Sequence, residues 1–245
     1  IGLVRTEIFY LQNQARFDFD TQVALYSQLQ DHFRNGPIIF RLLDIGADKR
    51  LRSDFIEDNP ALGLRGIRLL LKEKKMLKEQ VRALLTVSKR GPIKILIPFI
   101  TEAREFFATR DVILQEAEEM EVAVPPIGAM IEIPSAVFII EDLVRKCDFF
   151  SIGTNDLFQY FCAVDRNNAA VSNQFSPDTR SFISLLDLIY QQTRDCGKDV
   201  EICGEIATDP IRLSILIHIG YKQFSINPYS IHNTRLNLIN QFSGS

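Results

Sequence analysis

Apolar positions along the chain fall into two alternating patterns. One is a short run of strand length; the other is a longer stretch with apolar residues three and four apart, as on one face of a helix. Short runs occupy residues 1–7, 38–40, 93–99, 127–132, 149–152, 200–203 and 223–226. Helical spacing fills the intervals. Residues 21–33 carry Val23, Leu25, Leu29 and Phe33, and residues 76–88 carry Leu77, Val81, Leu84 and Leu85. Residues 181–196 carry Phe182, Leu185, Leu186 and Ile189. Further helices are expected from residue 62 to 71, from Thr101 to about 121, from Pro134 to about 145, after Pro210, and at the end of the chain. Thr101 reads as an N-cap, with Arg104 where a capping box would prefer Glu. Asn35-Gly36-Pro37, Gly91-Pro92, Pro125-Pro126 and Cys196-Gly197 punctuate the pattern.

Strands that alternate with helices imply a parallel sheet with helical crossovers. The chain is therefore expected to be α/β. Either an open doubly wound sheet or a closed barrel fits this length, and the pattern favours the barrel. Seven strands are one short of a (β/α)8 TIM-type barrel. The absent first strand would precede Ile1, and the lack of an initiator Met points to a piece of a longer protein. The 245 residues are expected to form one barrel domain.

Composition narrows the function. A hydrophobic share of 46% supplies a core, and a net charge of −3 gives no reason to expect nucleic acid. Lys72-Glu73-Lys74-Lys75 reads as a solvated helix face. Cys147, Cys162, Cys196 and Cys203 show no CxxC spacing and no histidine company, so zinc is not expected, and scattered thiols suit a reducing, cytoplasmic setting. No apolar run reaches the ~20 residues of a membrane span.

In a βα barrel, chemistry gathers at the C-terminal ends of the strands. There stand Arg5, then Arg41 with Asp44 and Lys49, Glu132, Asn155 with Asp156, Cys203 with Glu205, and Ser225 with Asn227. Arg65, Arg68 and Arg166 lie just beyond. This cationic set suggests a small anion bearing phosphate or carboxylate oxygens, which guanidiniums grip bidentately. Glu132 and Asp156 form an all-oxygen pair suited to Mg²⁺; alternatively, each caps a helix or pairs with an Arg. Cys203 before Gly204 reads first as a small buried apolar residue and second as a nucleophile or proton donor. His32, His218 and His232 fall on helices or loops, away from strand ends.

Seven segments together resemble a known family. They are Gly2-Leu3-Val4-Arg5-Thr6-Glu7, the run from Arg41 to Lys49, Asn59-Pro60-Ala61-Leu62-Gly63-Leu64-Arg65-Gly66-Ile67-Arg68, Met130-Ile131-Glu132-Ile133-Pro134-Ser135-Ala136, the run from Phe149 to Leu157, Ala163-Val164-Asp165-Arg166, and Ile202-Cys203-Gly204-Glu205. In kind and order they are similar to the C-terminal domain of enzyme I of the phosphoenolpyruvate:sugar phosphotransferase system. That resemblance implies that Arg5 and Arg41 hold the phosphoryl group of phosphoenolpyruvate, with Lys49 and Arg65 in the same pocket. Asn155, the backbone around Asp156, and Arg166 would hold its carboxylate. Glu132 and Asp156 would ligate Mg²⁺, and Cys203 would protonate C3 of the enolate to give pyruvate. The acceptor would be a histidine on an N-terminal domain outside this chain, serving a small phosphocarrier protein, and the barrel would form a homodimer. The runner-up enzyme is the corresponding domain of pyruvate phosphate dikinase or phosphoenolpyruvate synthase, which share the site, and the reading of another class is a non-catalytic regulatory or dimerisation module that retains the barrel. Several positions depart from the family pattern: Leu42, Ala47, Ile133, the Asn167-Asn168 pair after Arg166, and Phe158, which sets an apolar ring beside the carboxylate grip.

Overall fold

Seven strands pair in sequential order, each parallel to the next, in the computed structural model, which describes residues 2–12, 17–33, 36–46, 57–172 and 175–242. They are β1 (Val4–Arg5), β2 (Ile38–Arg41), β3 (Ile93–Ile97), β4 (Ile127–Ile131), β5 (Phe149–Gly153), β6 (Asp199–Cys203) and β7 (Phe224–Ser225). A doubly wound sheet reverses its strand order at a switch point. This sheet never reverses, so it has the winding of a barrel. Its edges approach each other: a Cβ placed on Gly2 would lie 2.8 Å from the Ser225 side chain, although no β7–β1 pairing occurs among the described residues. The architecture is thus the curled parallel sheet of a βα barrel.

The expected helices form with adjusted ends. They are α1 (Thr6–Gln12), α2 (Phe19–His32), α3 (Gly66–Lys72), α4 (Lys74–Ser88), α5 (Ala103–Glu119), α6 (Pro134–Val137), α7 (Ile140–Val144), α8 (Thr154–Cys162), α9 (Ala169–Ser172), α10 (Arg180–Asp195), α11 (Pro210–Ile219) and α12 (Ile231–Phe242). Four differences from the sequence pattern matter. The first strand is short, because Thr6 and Glu7 already belong to α1. The cap of α5 is Glu102, whose capping box closes with Glu105, one residue later than Thr101 with Arg104. The helix after Pro134 breaks in two around Phe138 and Ile139. Finally, α8 starts directly from β5, so Asn155 and Asp156 sit in a helix's first turn.

Strand alternation divides the apolar residues into two populations. The larger packs between sheet and helices and includes Phe40, Leu42, Ile95, Ile97, Ala129, Ile131, Phe150, Ile152 and Ile202, all of them buried. Leu42 joins this layer, which accounts for an apolar residue at that position. The smaller population fills the barrel interior: Ile39, Leu96, Met130, Phe149 and Cys203, with Leu3 against them. At the N-terminal end of the interior the Lys94 ammonium sits 4.8 Å from the Phe149 ring centroid. Gly128 makes room there, since a Cβ on it would meet that ring at 2.4 Å. At the other end the interior turns polar, and this is where the site lies.

One buried side chain anchors the loop that carries the site. Gln80 of α4 accepts from the Leu43 N–H at 2.9 Å and donates to Thr6 Oγ1 at 3.0 Å; Thr6 Oγ1 in turn donates to the Arg41 carbonyl at 2.8 Å. Gln80→Ala would leave a buried N–H unsatisfied, a loss of about 1–3 kcal/mol. Urea denaturation should show that loss, and an unchanged midpoint would mean that the network carries no stability.

Candidate active site at the C-terminal ends of the strands

Arg41 ends β2 with its side chain pointing into the barrel and buried. Its Nη2 donates to Glu7 Oε1 and lies 3.3 Å from Asp44 Oδ2, and its Nη1 lies 3.8 Å from Glu132 Oε2. Burial alone would lower the guanidinium pKa, but the charges of Glu7, Asp44 and Glu132 outweigh that and raise it. Arg65 precedes α3 and forms a fork to Asp44: Nε to Oδ1 at 3.1 Å and Nη2 to Oδ2 at 2.7 Å. It also reaches Asp156 Oδ2 at 3.3 Å and the Tyr160 hydroxyl at 3.0 Å. Gly46 permits this approach, because a Cβ on it would sit 2.4 Å from the Arg65 Cβ. The Arg65 and Arg68 guanidiniums stack on the Phe99 ring at 4.5 and 4.9 Å.

Glu132 follows β4, and its Oε1 accepts from the Phe99 N–H at 2.7 Å. Phe99 takes a left-handed φ of 59°, which turns its amide toward that carboxylate. Burial pushes the Glu132 carboxyl up to about 8; the Arg41 charge opposes this, while Asp156 and Asp44 reinforce it. Asp156, in the first turn of α8, lies 3.5 Å from Arg166 Nη2, and its buried Oδ1 accepts no hydrogen bond. Asn155 Oδ1 accepts from the Glu205 N–H at 3.2 Å, and Thr154 Oγ1 donates to the Cys203 carbonyl at 2.8 Å. These two bonds bind the start of α8 to the end of β6. Gly204 allows them: its φ is +127°, and a Cβ there would lie 2.2 Å from Thr154 Oγ1. Cys203 is buried, and desolvation pushes its thiol up to about 12, with Ser151 and Arg41 pulling down and Glu201 and Glu132 pushing up.

The described residues singled out in the sequence therefore converge. Arg41, Arg65, Glu132, Asp156 and Arg166 form one connected ion network; Arg5 joins it through Glu7 at 2.9 Å. Asn155 and Cys203 stand at its rim. Lys49, Asp48 and Ala47 lie outside the described residues. Among the described residues, the cationic set keeps close company with carboxylates. Glu7, Asp44, Glu132 and Asp156 are four buried carboxylates against the two well-buried arginines, Arg41 and Arg65. Glu7 was missed as a pocket residue because it sits on a helix turn rather than a strand, and Tyr160 and Phe99 because no local pattern marks them. Phe158 does not border the grip: its ring packs edge-on against Phe182 at 5.1 Å, in the seam between α8 and α10. His32 and His218 bond to carbonyls of their own helices, Gln28 and Ser214, both at 2.7 Å.

A curled parallel βα sheet with a charged pocket at the C-terminal ends of its strands defines a barrel of the enzyme class. The chain belongs to the family described as "PEP-utilising enzyme, PEP-binding domain", which matches residues 1–242. It is 40% identical over 239 residues to the "Phosphoenolpyruvate-dependent phosphotransferase system" protein of Escherichia coli K12, covering 94% of this chain and 32% of that one. It is 37% identical over 239 residues to the "Phosphoenolpyruvate-protein phosphotransferase" of Bacillus subtilis 168, covering 94% of this chain and 42% of that one. The chain thus spans well under half the length of these relatives. In fold it is similar to a citrate lyase from Burkholderia xenovorans, with a TM-score of 0.57, 18% identity and coverage of 96% of this chain and 75% of the other. A malate synthase from Haloferax volcanii has a TM-score of 0.58 at 12% identity, with coverage of 90% and 56%.

Gly153 closes β5 directly beside Glu132, and a Cβ on it would fall 2.8 Å from Glu132 Cβ and Oε2. Gly153→Ala should overpack this wall and cost about 1–3 kcal/mol. Thermal unfolding checks this; a wild-type midpoint would show that Glu132 has room to move.

Proposed function

We propose that this chain is the phosphoenolpyruvate-binding barrel of a phosphoenolpyruvate-protein phosphotransferase. In this reading it releases pyruvate while a histidine on a separate N-terminal domain accepts the phosphoryl group, on the way to a small phosphocarrier protein. The observation that carries the reading is the interlocked set Arg41, Arg65, Asp44, Glu132 and Asp156 at adjacent strand ends, within a chain of this family. The names of the relatives favour this over a dikinase or synthase domain. A cytoplasmic setting, a homodimer and a role in sugar uptake belong to the same proposal. No helix of the described residues is long and apolar enough to cross a membrane.

Phosphoryl transfer needs positioning and charge neutralisation more than covalent help. Arg41 and Arg5 would take the phosphoryl oxygens; the Arg41 Nε, buried and without a hydrogen-bond partner, is a donor available for them. Arg65 and Lys49 would line the same pocket, and Asn155, the Asp156 backbone and Arg166 would hold the carboxylate. The residues fit a divalent cation. The carboxylates outnumber the buried arginines, the Asp156 Oδ1 lacks a hydrogen bond, and the donors are all oxygen, as Mg²⁺ prefers. Glu132 and Asp156 would hold it, and when bound it would neutralise charge developing on phosphoenolpyruvate oxygens. Cys203, a neutral thiol at rest, would donate its proton to C3 of the departing enolate.

Titration calorimetry with phosphoenolpyruvate and Mg²⁺ tests this directly. Wild type should bind, and Arg41→Ala should weaken binding at least tenfold, or about 1.4 kcal/mol. Equal affinity would remove Arg41 from the pocket, and no binding by wild type would overturn the assignment.

The Glu132 carboxyl, held up to about 8, must lose its proton to serve as a ligand. Mg²⁺ affinity should therefore rise with pH toward 8 and flatten above it, with protons released on binding. Calorimetry in buffers of different ionisation enthalpy measures that release, and a flat profile from pH 6 to 8 would contradict it.

A further inference from the structure

A second cavity, of about 470 Å³, lies at the other end of the barrel, where β3, β4 and β5 begin. Two cations line it. Lys94 comes from β3, where it shares the interior face with Leu96, and Arg110 comes from α5, the helix between β3 and β4. Both residues are half-buried. Among the described residues, neither has a carboxylate oxygen within 4.0 Å and neither donates a hydrogen bond. The Arg110 Nε is buried and without a partner, and the Lys94 ammonium rests over the Phe149 ring, 4.8 Å from its centroid. At the opposite mouth, by contrast, Arg41 and Arg65 are each held by two or more carboxylates. The carboxylates nearest the cavity are engaged elsewhere. Asp148 stands on its wall, but Asp148 Oδ2 accepts from the Ile127 N–H at 2.7 Å. Glu201 interacts electrostatically with Lys94, but its Oε1 accepts from Ser151 Oγ at 3.0 Å. Charge withdrawn from water without a partner is unfavourable, so an anion is what this end of the barrel lacks.

We propose that this cavity is a second ligand site, and that it takes a small monocarboxylate carried on an apolar body. Its volume is within the range of small-molecule sites, and such sites pair apolar walls with a few polar groups that fix orientation. Leu114, Val124, Ile127 and Phe149 supply the walls. Val124 is 42% exposed, and an apolar body lying against it removes that surface from water. Pro125 and Pro126 restrict the segment that joins Val124 to β4, so this wall is stiff before any ligand arrives. Charge decides the class. Lys94 and Arg110 set against Asp148 leave a single net positive charge, which matches a carboxylate better than a phosphate dianion. The carboxylate bridges the two cations, with the Arg110 guanidinium able to grip both of its oxygens. The cavity shares no residue with the pocket of Arg41 and Glu132, so this inference does not depend on the function proposed above.

Fluorine NMR with para-fluorophenylacetate, titrated into the whole chain, tests the site. Wild type should shift the fluorine resonance saturably at millimolar probe. Arg110→Gln and Lys94→Gln should each weaken binding by about tenfold or more. The neutral para-fluorophenylacetamide, which has the same body without the charge, should bind wild type more weakly by a similar factor. Inorganic phosphate at the concentration of the probe should leave the probe bound, as should phosphoenolpyruvate with Mg²⁺. Should Lys94→Gln fail to fold, Arg110→Gln on the outer helix decides, and the comparison with the amide needs no variant. No saturable shift in wild type, wild-type affinity in the folded variants, or equal binding of acid and amide would each overturn the site. Displacement by phosphate would overturn the monocarboxylate class, and displacement by phosphoenolpyruvate would put the probe at the opposite mouth. None of these results bears on the assignment of function, which the calorimetry of phosphoenolpyruvate tests separately.

Discussion

A guanidinium inside a barrel is the constraint on which the rest depends. Arg41 is buried where water cannot solvate it, and such a charge is tolerated only if carboxylates and hydrogen bonds replace that solvation. The replacements come from three elements: Glu7 from the first turn of α1, Asp44 from the loop after β2, and Glu132 from beyond β4. Holding one charge therefore fixes the relative positions of three strand ends. Arg65 carries the lattice onward, since its fork on Asp44 also reaches Asp156 and Tyr160 on α8. The pocket is rigid because each of its charges is another's solvation.

This lattice is unbalanced, and the imbalance has chemical consequences. Buried carboxylates exceed buried arginines, and burial of the Glu132 carboxyl, reinforced by Asp156 and Asp44 against the Arg41 charge, holds it above the usual carboxylate range. A cation and a densely anionic ligand arriving together would restore balance more completely than either alone. The same electrostatics acts on Cys203. Burial pushes its thiol up first, and Glu201 and Glu132 add to that while Arg41 opposes it.

The barrel interior has a gradient that the outer layer lacks. Between sheet and helices the packing is apolar throughout. Inside, the column runs from Lys94 and Phe149, through Glu201 and Ser151 among Met130, Ile39 and Leu96, to Cys203, Arg41 and Glu132. Polar groups in so narrow a column have to satisfy one another, as Ser151 and Glu201 do at 3.0 Å. Glycines at 128 and 153 make room for the Phe149 ring and the Glu132 carboxylate.

The alternation of strand and helix, the parallel sheet, and the charged residues closing several strands were all legible in the sequence, because periodicities of 2 and 3.6 follow from local backbone geometry. So were Arg41, Arg65, Glu132, Asp156 and Cys203 as site candidates, since winding alone puts strand ends at one mouth. Sequence could not show that Glu7 is the partner of Arg41, that Phe99 turns left-handed to feed Glu132, or that Phe158 leaves the pocket for Phe182. It also could not show Ser151 opposite Glu201. Each of these depends on the register between strands and on the curl that brings distant segments within a few ångströms. Neither is encoded in any one stretch of chain; both are settled when the whole sheet closes around its buried charges.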